Sequence, residues 1–153
     1  IVHREMAAKA KSGKQVLVSP VSVGELLDKH IAELSSPVIK TLTVRRSPSI
    51  DALPDAGETA LAARSMLNAP SVVQKAAPKQ LLATLRSQEV LQGECPDSEI
   101  ATVQLWCYSP LFTGHRAIDN ISLALSLARL EDERVVEAIE SLFGKEYAWD
   151  KVL

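Results

Sequence analysis

Two hydrophobic patterns follow one another along the chain. In some segments apolar residues recur at helical spacing, and in others they alternate with polar residues as in a β-strand. Residues 22–34 begin with a capping-box pattern and place four apolar side chains at helical spacing, which predicts a helix. Residues 38–46 are rich in β-branched side chains and predict a strand. The clearest strand prediction runs from Glu99 to Tyr108, where Ala101, Val103 and Leu105 alternate with other side chains.

Proline, glycine and serine residues interrupt the middle of the chain and bound shorter elements. The predicted elements, in order, are a loop over residues 47–55, an alanine-rich helix over 58–67, a strand over 72–75, a helix from Pro78 to Arg86 and a short strand over 89–92. Together with the two longer strands, they predict the α+β class, with a mixed β-sheet packed with helices.

The last third of the chain predicts two amphipathic helices that form a C-terminal helical hairpin with a two-residue link. Asp119 and Asp132 can cap these helices, and Gly144 can end the second. The first helix is predicted to carry Ile121, Leu125 and Ala128 on one face, with Leu123, Leu127 and Leu130 near it. The hairpin and the Trp106/Tyr108 side of the preceding strand are candidate interaction surfaces, although burial is the favoured fate of most of their apolar atoms.

Residues 1–18 predict a wing-like β-hairpin, with strands over 1–6 and 15–19 and a turn at Gly13. Its charged residues are mostly cationic, because only Glu5 opposes Arg4, Lys9, Lys11 and Lys14. Such cations can neutralise phosphates of a DNA backbone, which positions a protein without reading sequence. These four side chains are therefore the candidate DNA-backbone contacts, and a hairpin that is merely solvated remains the alternative.

Composition narrows the class of protein. The chain has 153 residues, of which 46% are hydrophobic and 24% charged, and its net charge is −2. This length and composition predict one packed domain over residues 19–153, which follows the hairpin in the chain. No apolar run is long enough for a membrane span and no signal peptide opens the chain, so a cytoplasmic protein without a membrane partner is expected. Two cysteines, Cys95 and Cys107, are too few for a disulfide framework, and Cys107 is predicted to lie in the core.

Residue patterns for catalysis or metal binding are weak. His3, His30 and His115 do not pair at ligand spacing, and the chain has neither a nucleophile elbow nor a phosphate-binding glycine loop. We therefore expect no metal, no cofactor and no enzymatic activity. A metal-dependent nuclease or hydrolase is the open alternative, and its acids would be the carboxylates of Asp97, Glu99 and Glu58.

Five segments resemble, in order and spacing, the effector part of bacterial winged-helix regulators of the MarR-like kind. They are SPVIKTLTV at 36–44, AGETALAARSML at 56–67, VQLWCYSP at 103–110, IDNISLALSL at 118–127 and DERV at 132–135. The layout is also similar to that of AbiEi-like antitoxins, which pair a winged helix with an α/β domain and repress their own operon beside a nucleotidyltransferase-type toxin.

The resemblance implies a non-catalytic regulator with a winged helix-turn-helix upstream, whose wing residues 1–18 would form. The chain begins at or inside that wing, so the helix that enters the major groove would be absent and DNA would be bound through the full-length protein. A second protomer or a cognate toxin is the other expected partner. An antitoxin domain that neutralises a toxin by direct contact is the alternative function.

Overall fold

A computed structural model describes residues 7–9, 15–17, 34–91, 93–111, 117–128 and 132–143. This part of the chain is of the α+β class, as the sequence predicts, with a small mixed sheet and five α-helices. The strands are β1 (Ala7–Lys9), β2 (Gln15–Leu17), β3 (Val38–Arg45), β4 (Val73–Pro78) and β5 (Ile100–Trp106). The helices are α1 (Pro48–Asp51), α2 (Gly57–Ala62), α3 (Leu82–Arg86), α4 (Asn120–Leu127) and α5 (Glu133–Phe143).

The three longer strands form one sheet in the order β3-β5-β4, with β5 antiparallel to β3 and parallel to β4. The parallel pair needs a crossover connection, and α3 lies within it. Because β5 is the central strand, all of its residues except Thr102 are buried. Residues 54–56 follow the outer edge of β4, where the Ala76 N–H donates to the Pro54 carbonyl at 2.9 Å.

Successive strand residues point to opposite faces of the sheet, and each face carries its own apolar cluster. We call one the Trp106 face; there α2, α4 and α5 pack over Ala76 and Trp106. We call the other the Lys75 face; there Ile50 of α1 and Leu85 of α3 pack over residues of all three strands. Adjacent residues such as Leu105 and Trp106 therefore belong to different clusters.

A β-bulge near the start of β3 changes the direction of its side chains. Register with β5 shifts between Val38 and Lys40, which adds a residue to β3. As a consequence Val38 packs against the cluster of the Trp106 face, whereas Leu42 lies in that of the Lys75 face. Without the bulge these two even-numbered positions would share one side.

Several predicted bounds in the middle of the chain are wrong. The loop over 47–55 contains α1, because Ser47 caps it by accepting from the Ile50 N–H and Pro48 begins it. The helix over 58–67 ends at Ala62. Pro78 ends β4 instead of starting a helix, since a 3-10 turn separates it from α3.

The predicted strand over 89–92 is reduced to one bridge between Glu89 and Val44, while Gln92 lies outside the described residues. The prediction over 38–46 is confirmed by β3, and that over Glu99 to Tyr108 by β5. The helix predicted over 22–34 falls on residues that are outside the described part, apart from Leu34.

Capping of the C-terminal helices is confirmed. Asp119 Oδ1 accepts from the Ser122 N–H at 2.9 Å, and Asp132 Oδ1 accepts from the Arg134 N–H at 2.9 Å. The apolar side predicted for α4 is confirmed at Leu123, Leu125 and Leu127, whereas Ile121 and Ala128 are only half-buried and Leu130 lies outside the described residues. Its buried residues are Ser122, Leu123, Ala124, Leu125 and Leu127. More than one side of α4 is covered, because α4 packs against both α2 and α5. Residues 129–131 and Gly144 lie outside the described residues.

At the N-terminus, β1 and β2 pair antiparallel, with Ala7 opposite Leu17 and Lys9 opposite Gln15. The second strand agrees with the predicted span. The first, at Ala7–Lys9, lies later in the chain than the predicted strand over 1–6, which is outside the described residues.

Candidate interaction surfaces

The four candidate DNA-backbone cations fall in the first fourteen residues of the chain. Lys9 is the last residue of β1, opposite Gln15 at the first position of β2. Arg4, Lys11 and Lys14 lie outside the described residues. The strand pair therefore fixes both ends of the segment that carries Lys11 and Lys14, because that segment joins Lys9 to Gln15.

The aromatic end of β5 is divided between core and surface. The Trp106 side chain is fully buried and its Nε1 donates to Gln104 Oε1 at 3.2 Å, so Trp106 offers no contact surface. Tyr108, which is 39% exposed, packs edge-on against Trp106 with ring centroids 5.7 Å apart. Cys107 is exposed, contrary to the prediction of a core cysteine; β5 ends at Trp106 and the chain bends at Cys107.

Polar groups surround Tyr108 where β5 meets α4. The Tyr108 hydroxyl donates to Ser122 Oγ at 2.9 Å. Burial raises the pKa of Tyr108, the hydrogen bond to Ser122 lowers it, and the nearby Asp119 carboxylate raises it. Asp119 Oδ2 is itself buried without a hydrogen-bond partner among the described residues. The negative charge of Asp119 is thus held close to a hydroxyl that stays protonated.

The segment AGETAL has a structural role at the start of α2. Gly57 has a φ of +53°, and a Cβ at this position would lie 1.8 Å from Gln74 Oε1. This close approach lets Gln74 Oε1 accept from the Glu58 N–H at 2.9 Å, while Thr59 Oγ1 accepts from the Gln74 N–H at 2.8 Å. These residues join α2 to β4, which explains the Ala-Gly-x-Thr pattern without a ligand.

A buried lysine has the same kind of role on the opposite face. Lys75 is 8% exposed, and its Nζ lies 3.0 Å from the Asp51 carbonyl, 3.1 Å from the Leu53 carbonyl and 2.8 Å from Asp55 Oδ1. Three acceptors match the three donors of an ammonium group. Lys75 thereby satisfies the carbonyls at the end of α1, and its charge is used within the fold.

A groove lies between α5 and the irregular segment 65–70 that follows α2. We call it the Met66 groove. It encloses about 570 Å³; α5 contributes Arg134, Glu137, Ala138 and Ser141, and Glu58 also lines it. Met66 is 100% exposed, whereas neighbouring Leu61 is fully buried. No hydrophobic pattern along the chain indicates this groove, because the exposure of Met66 depends on where α2 ends.

Charges around the Met66 groove are mostly negative. Arg134 Nη2 lies 2.7 Å from Asp132 Oδ2, and its Nε donates to Asp132 Oδ1 at 3.1 Å. This two-point contact lowers the pKa of Asp132 and raises that of Arg134, which the nearby Glu58 raises further. Arg134 forms its ion pair with Asp132, and the carboxylates of Glu58 and Glu137 have no ion pair among the described residues.

Two clefts flank the end of β3, on either side of Arg45 and Arg46. Arg46 pairs with Asp51 at 2.9 Å, and Arg45 Nη2 donates to Cys95 Sγ at 3.4 Å. Glu89 lines one cleft and offsets only one of its two arginines, whereas Asp51 and Glu99 together balance both arginines in the other cleft.

The acids of the nuclease alternative lie in two different places. Asp97 and Glu99 are exposed in the 3-10 turn before β5, whereas Glu58 is half-buried in the first turn of α2. Within the described ranges, no group of three or more His, Cys, Asp or Glu side chains could hold a metal ion. His3, His30 and His115 lie outside those ranges. The structure thus places Asp97 and Glu99 in one turn and Glu58 on a different element.

In the part of the chain that the structure describes, no helix has the length and apolar character needed to cross a membrane. Comparison with protein-family models, curated proteins and solved structures found no match to this chain.

Proposed function

We propose that the chain is a non-catalytic regulatory domain of a DNA-binding transcription regulator. In this proposal the pair β1–β2 lies against the DNA backbone as a wing. The packed body, residues 19–153, binds a partner protein, a second protomer or a ligand. The proposal includes the finer fold features: a wing-like hairpin at the N-terminus and a helical hairpin made by α4 and α5.

The antiparallel pairing of β1 with β2 is the observation that carries the proposal. Lys9 opposite Gln15 brings together the two ends of a five-residue connection that contains Lys11 and Lys14. A two-stranded ribbon that ends in several cations suits contact with phosphates, and each cation that binds a phosphate releases counterions.

Use of polar side chains in the body supports a non-catalytic role. Lys75 binds the end of α1, and Gln74 binds the start of α2. Arg64 joins α2 to α4, because its Nη1 donates to Asn120 Oδ1 and its Nη2 to the Ile118 carbonyl, both at 2.7 Å. These side chains hold backbone segments in place, which is a structural use of charge.

The helical hairpin is supported by the shared packing of α4 and α5. Leu123 of α4 and Val135 and Ile139 of α5 lie in one cluster on the Trp106 face. The described end of α4 at Leu127 and the start of α5 at Glu133 leave five residues between them, more than the two-residue link predicted from sequence.

Salt dependence of DNA binding tests the proposal. We expect the chain to bind duplex DNA weakly, without sequence preference, and with an affinity that falls as salt rises. The double variant Lys11→Ala with Lys14→Ala removes two phosphate contacts. The slope of log K against log salt should then flatten by about 2, at about 0.9 per contact. Fluorescence anisotropy with a labelled duplex measures both slopes.

The matched control removes two cations from the body, Lys79→Ala with Arg86→Ala. Both side chains are exposed near α3, so the net charge changes equally while the strand pair is intact. The control should leave the slope unchanged. An unchanged slope in the Lys11/Lys14 variant, or an equal change in both variants, would show that the strand pair does not contact the DNA backbone.

A further inference from the structure

We infer that the Met66 groove binds a short amphipathic helix of a partner protein, with Lys or Arg residues flanking an apolar side chain. The inference rests on the proposed function in one respect, since it names the partner of the body. Its surface is separate from the strand pair that would contact DNA.

The apolar part of the groove calls for a covering side chain. Met66 is 100% exposed, and Leu67, Pro70 and Ala138 line the groove beside it. Methionine is flexible and polarisable, and it is common on surfaces that adapt to a partner's side chains. A volume of about 570 Å³ has room for one or two large apolar side chains.

Spacing along α5 favours a helix as the occupant. The four α5 residues that line the groove, Arg134, Glu137, Ala138 and Ser141, are at positions i, i+3, i+4 and i+7, so they form one stripe. Seven residues of helix span about 10 Å, at about 1.5 Å per residue. A partner helix of two to three turns can therefore lie beside α5 and place one anchor against Met66.

Charge decides which helix fits. Glu58 and Glu137 face the groove, and its one lining cation, Arg134, is held by Asp132. A helix with flanking lysines or arginines is attracted there, and one with flanking glutamates is repelled.

The test uses the chain labelled with ¹⁵N and two synthetic peptides. Both carry the same leucine and alanine positions at helical spacing; one has lysine and the other glutamate at the flanking positions. We expect the lysine peptide to shift the amide resonances of residues 65–70 and 134–141 in a saturable way. The glutamate peptide should leave them unshifted.

Charge-reversal variants distinguish binding of the lysine peptide in the groove from its general attraction to an acidic protein. The double variant Glu58→Lys with Glu137→Lys should lower the affinity for the lysine peptide by about tenfold or more, because two attractive pairs between glutamate and peptide lysine become repulsive. The control, Glu89→Lys with Glu99→Lys, makes the same change in net charge at two exposed residues elsewhere. Met66→Ala, at a fully exposed side chain, should also weaken binding without affecting folding.

Three results would overturn the inference. One is an equal loss of affinity in the control variant, another is equal binding of the glutamate peptide, and the third is a set of shifts centred away from the groove. Concentration-dependent self-association that Met66→Ala abolishes would assign the groove to a second copy of the chain and also overturn it. The DNA salt slope is measured on the parent chain and the Lys11/Lys14 variant without peptide, so failure here is distinguishable from failure of the proposed function.

Discussion

The two faces of the sheet are covered in different ways. On the Trp106 face, helices of six, eight and eleven residues bury large side chains such as Leu61, Leu123 and Trp106. On the Lys75 face, helices of four and five residues contribute mainly Ile50 and Leu85, and the end of α1 is held by the Lys75 ammonium group.

This difference indicates how each face is stabilised. Long helices can supply enough apolar area to remain on a sheet through burial alone, at about 25 cal/mol per Å². A four-residue helix cannot, and its free carbonyls need partners when they are close to the core. On the Lys75 face a buried cation provides them, while the exposed groove lies beside helices of the Trp106 face.

The largest expected effect is on the Trp106 face. Trp106→Ala removes a fully buried side chain from the cluster and leaves a cavity, and the free energy of unfolding should fall by about 3–5 kcal/mol. Urea denaturation followed by circular dichroism measures it. Trp106→Phe keeps most of the apolar volume, so its free energy of unfolding should fall by clearly less. A loss below about 1 kcal/mol for the alanine variant would contradict the role given to burial on this face.

An intermediate effect is expected on the Lys75 face. Lys75→Met keeps the length of the side chain but leaves the Asp51 and Leu53 carbonyls without their donor, and stability should fall by about 1–3 kcal/mol. The control Lys79→Met changes an exposed lysine and should stay within about 0.5 kcal/mol of the parent. Equal midpoints for the two variants in urea would mean that Lys75 does not hold α1.

The smallest effect depends on pH, at the border of the Trp106 face. Burial raises the pKa of Tyr108 above its ordinary value of 10.0, so the folded chain holds this proton more tightly than the unfolded chain. The resulting stabilisation is fully present below pH 10 and is lost as pH rises through the raised value. Stability should therefore fall more steeply above pH 10 in the parent than in Tyr108→Phe.

Tyrosinate absorbance provides an independent check on Tyr108. The chain has two tyrosines, so the difference between the parent and Tyr108→Phe isolates the titration of Tyr108. If the difference in absorbance has its titration midpoint at or below pH 10, burial does not raise the pKa of Tyr108.

Sequence reasoning succeeded where one local signal determined the structure. The β-branched run at 38–45 and the alternation after Glu99 predicted β3 and β5, and the caps at Asp119 and Asp132 were located correctly. The predicted bounds of helices and strands are wrong where they depend on pairing or packing with distant segments. Pro78 was assigned to a helix, but pairing with Trp106 of β5 extends β4 through it.

Burial was harder to predict than secondary structure. Cys107 follows the apolar pattern of β5 yet is exposed, because the strand ends one residue earlier. Gln104 is a polar residue of the same strand, yet it is only 8% exposed, and its Oε1 accepts from Trp106 Nε1. Both outcomes depend on which helix covers which face, and that information lies in residues distant along the chain.

Local signals along the chain are enough to predict the α+β class, the two long strands, the caps of the C-terminal helices and the excess of cations in the first fourteen residues. Those features follow from backbone preference, hydrophobic period and charge, which act over a few neighbouring residues. The strand order, the use of Lys75 inside the fold and the Met66 groove become visible only in the folded chain. Each of these arises where distant segments meet, because burial and pairing there depend on both partners at once.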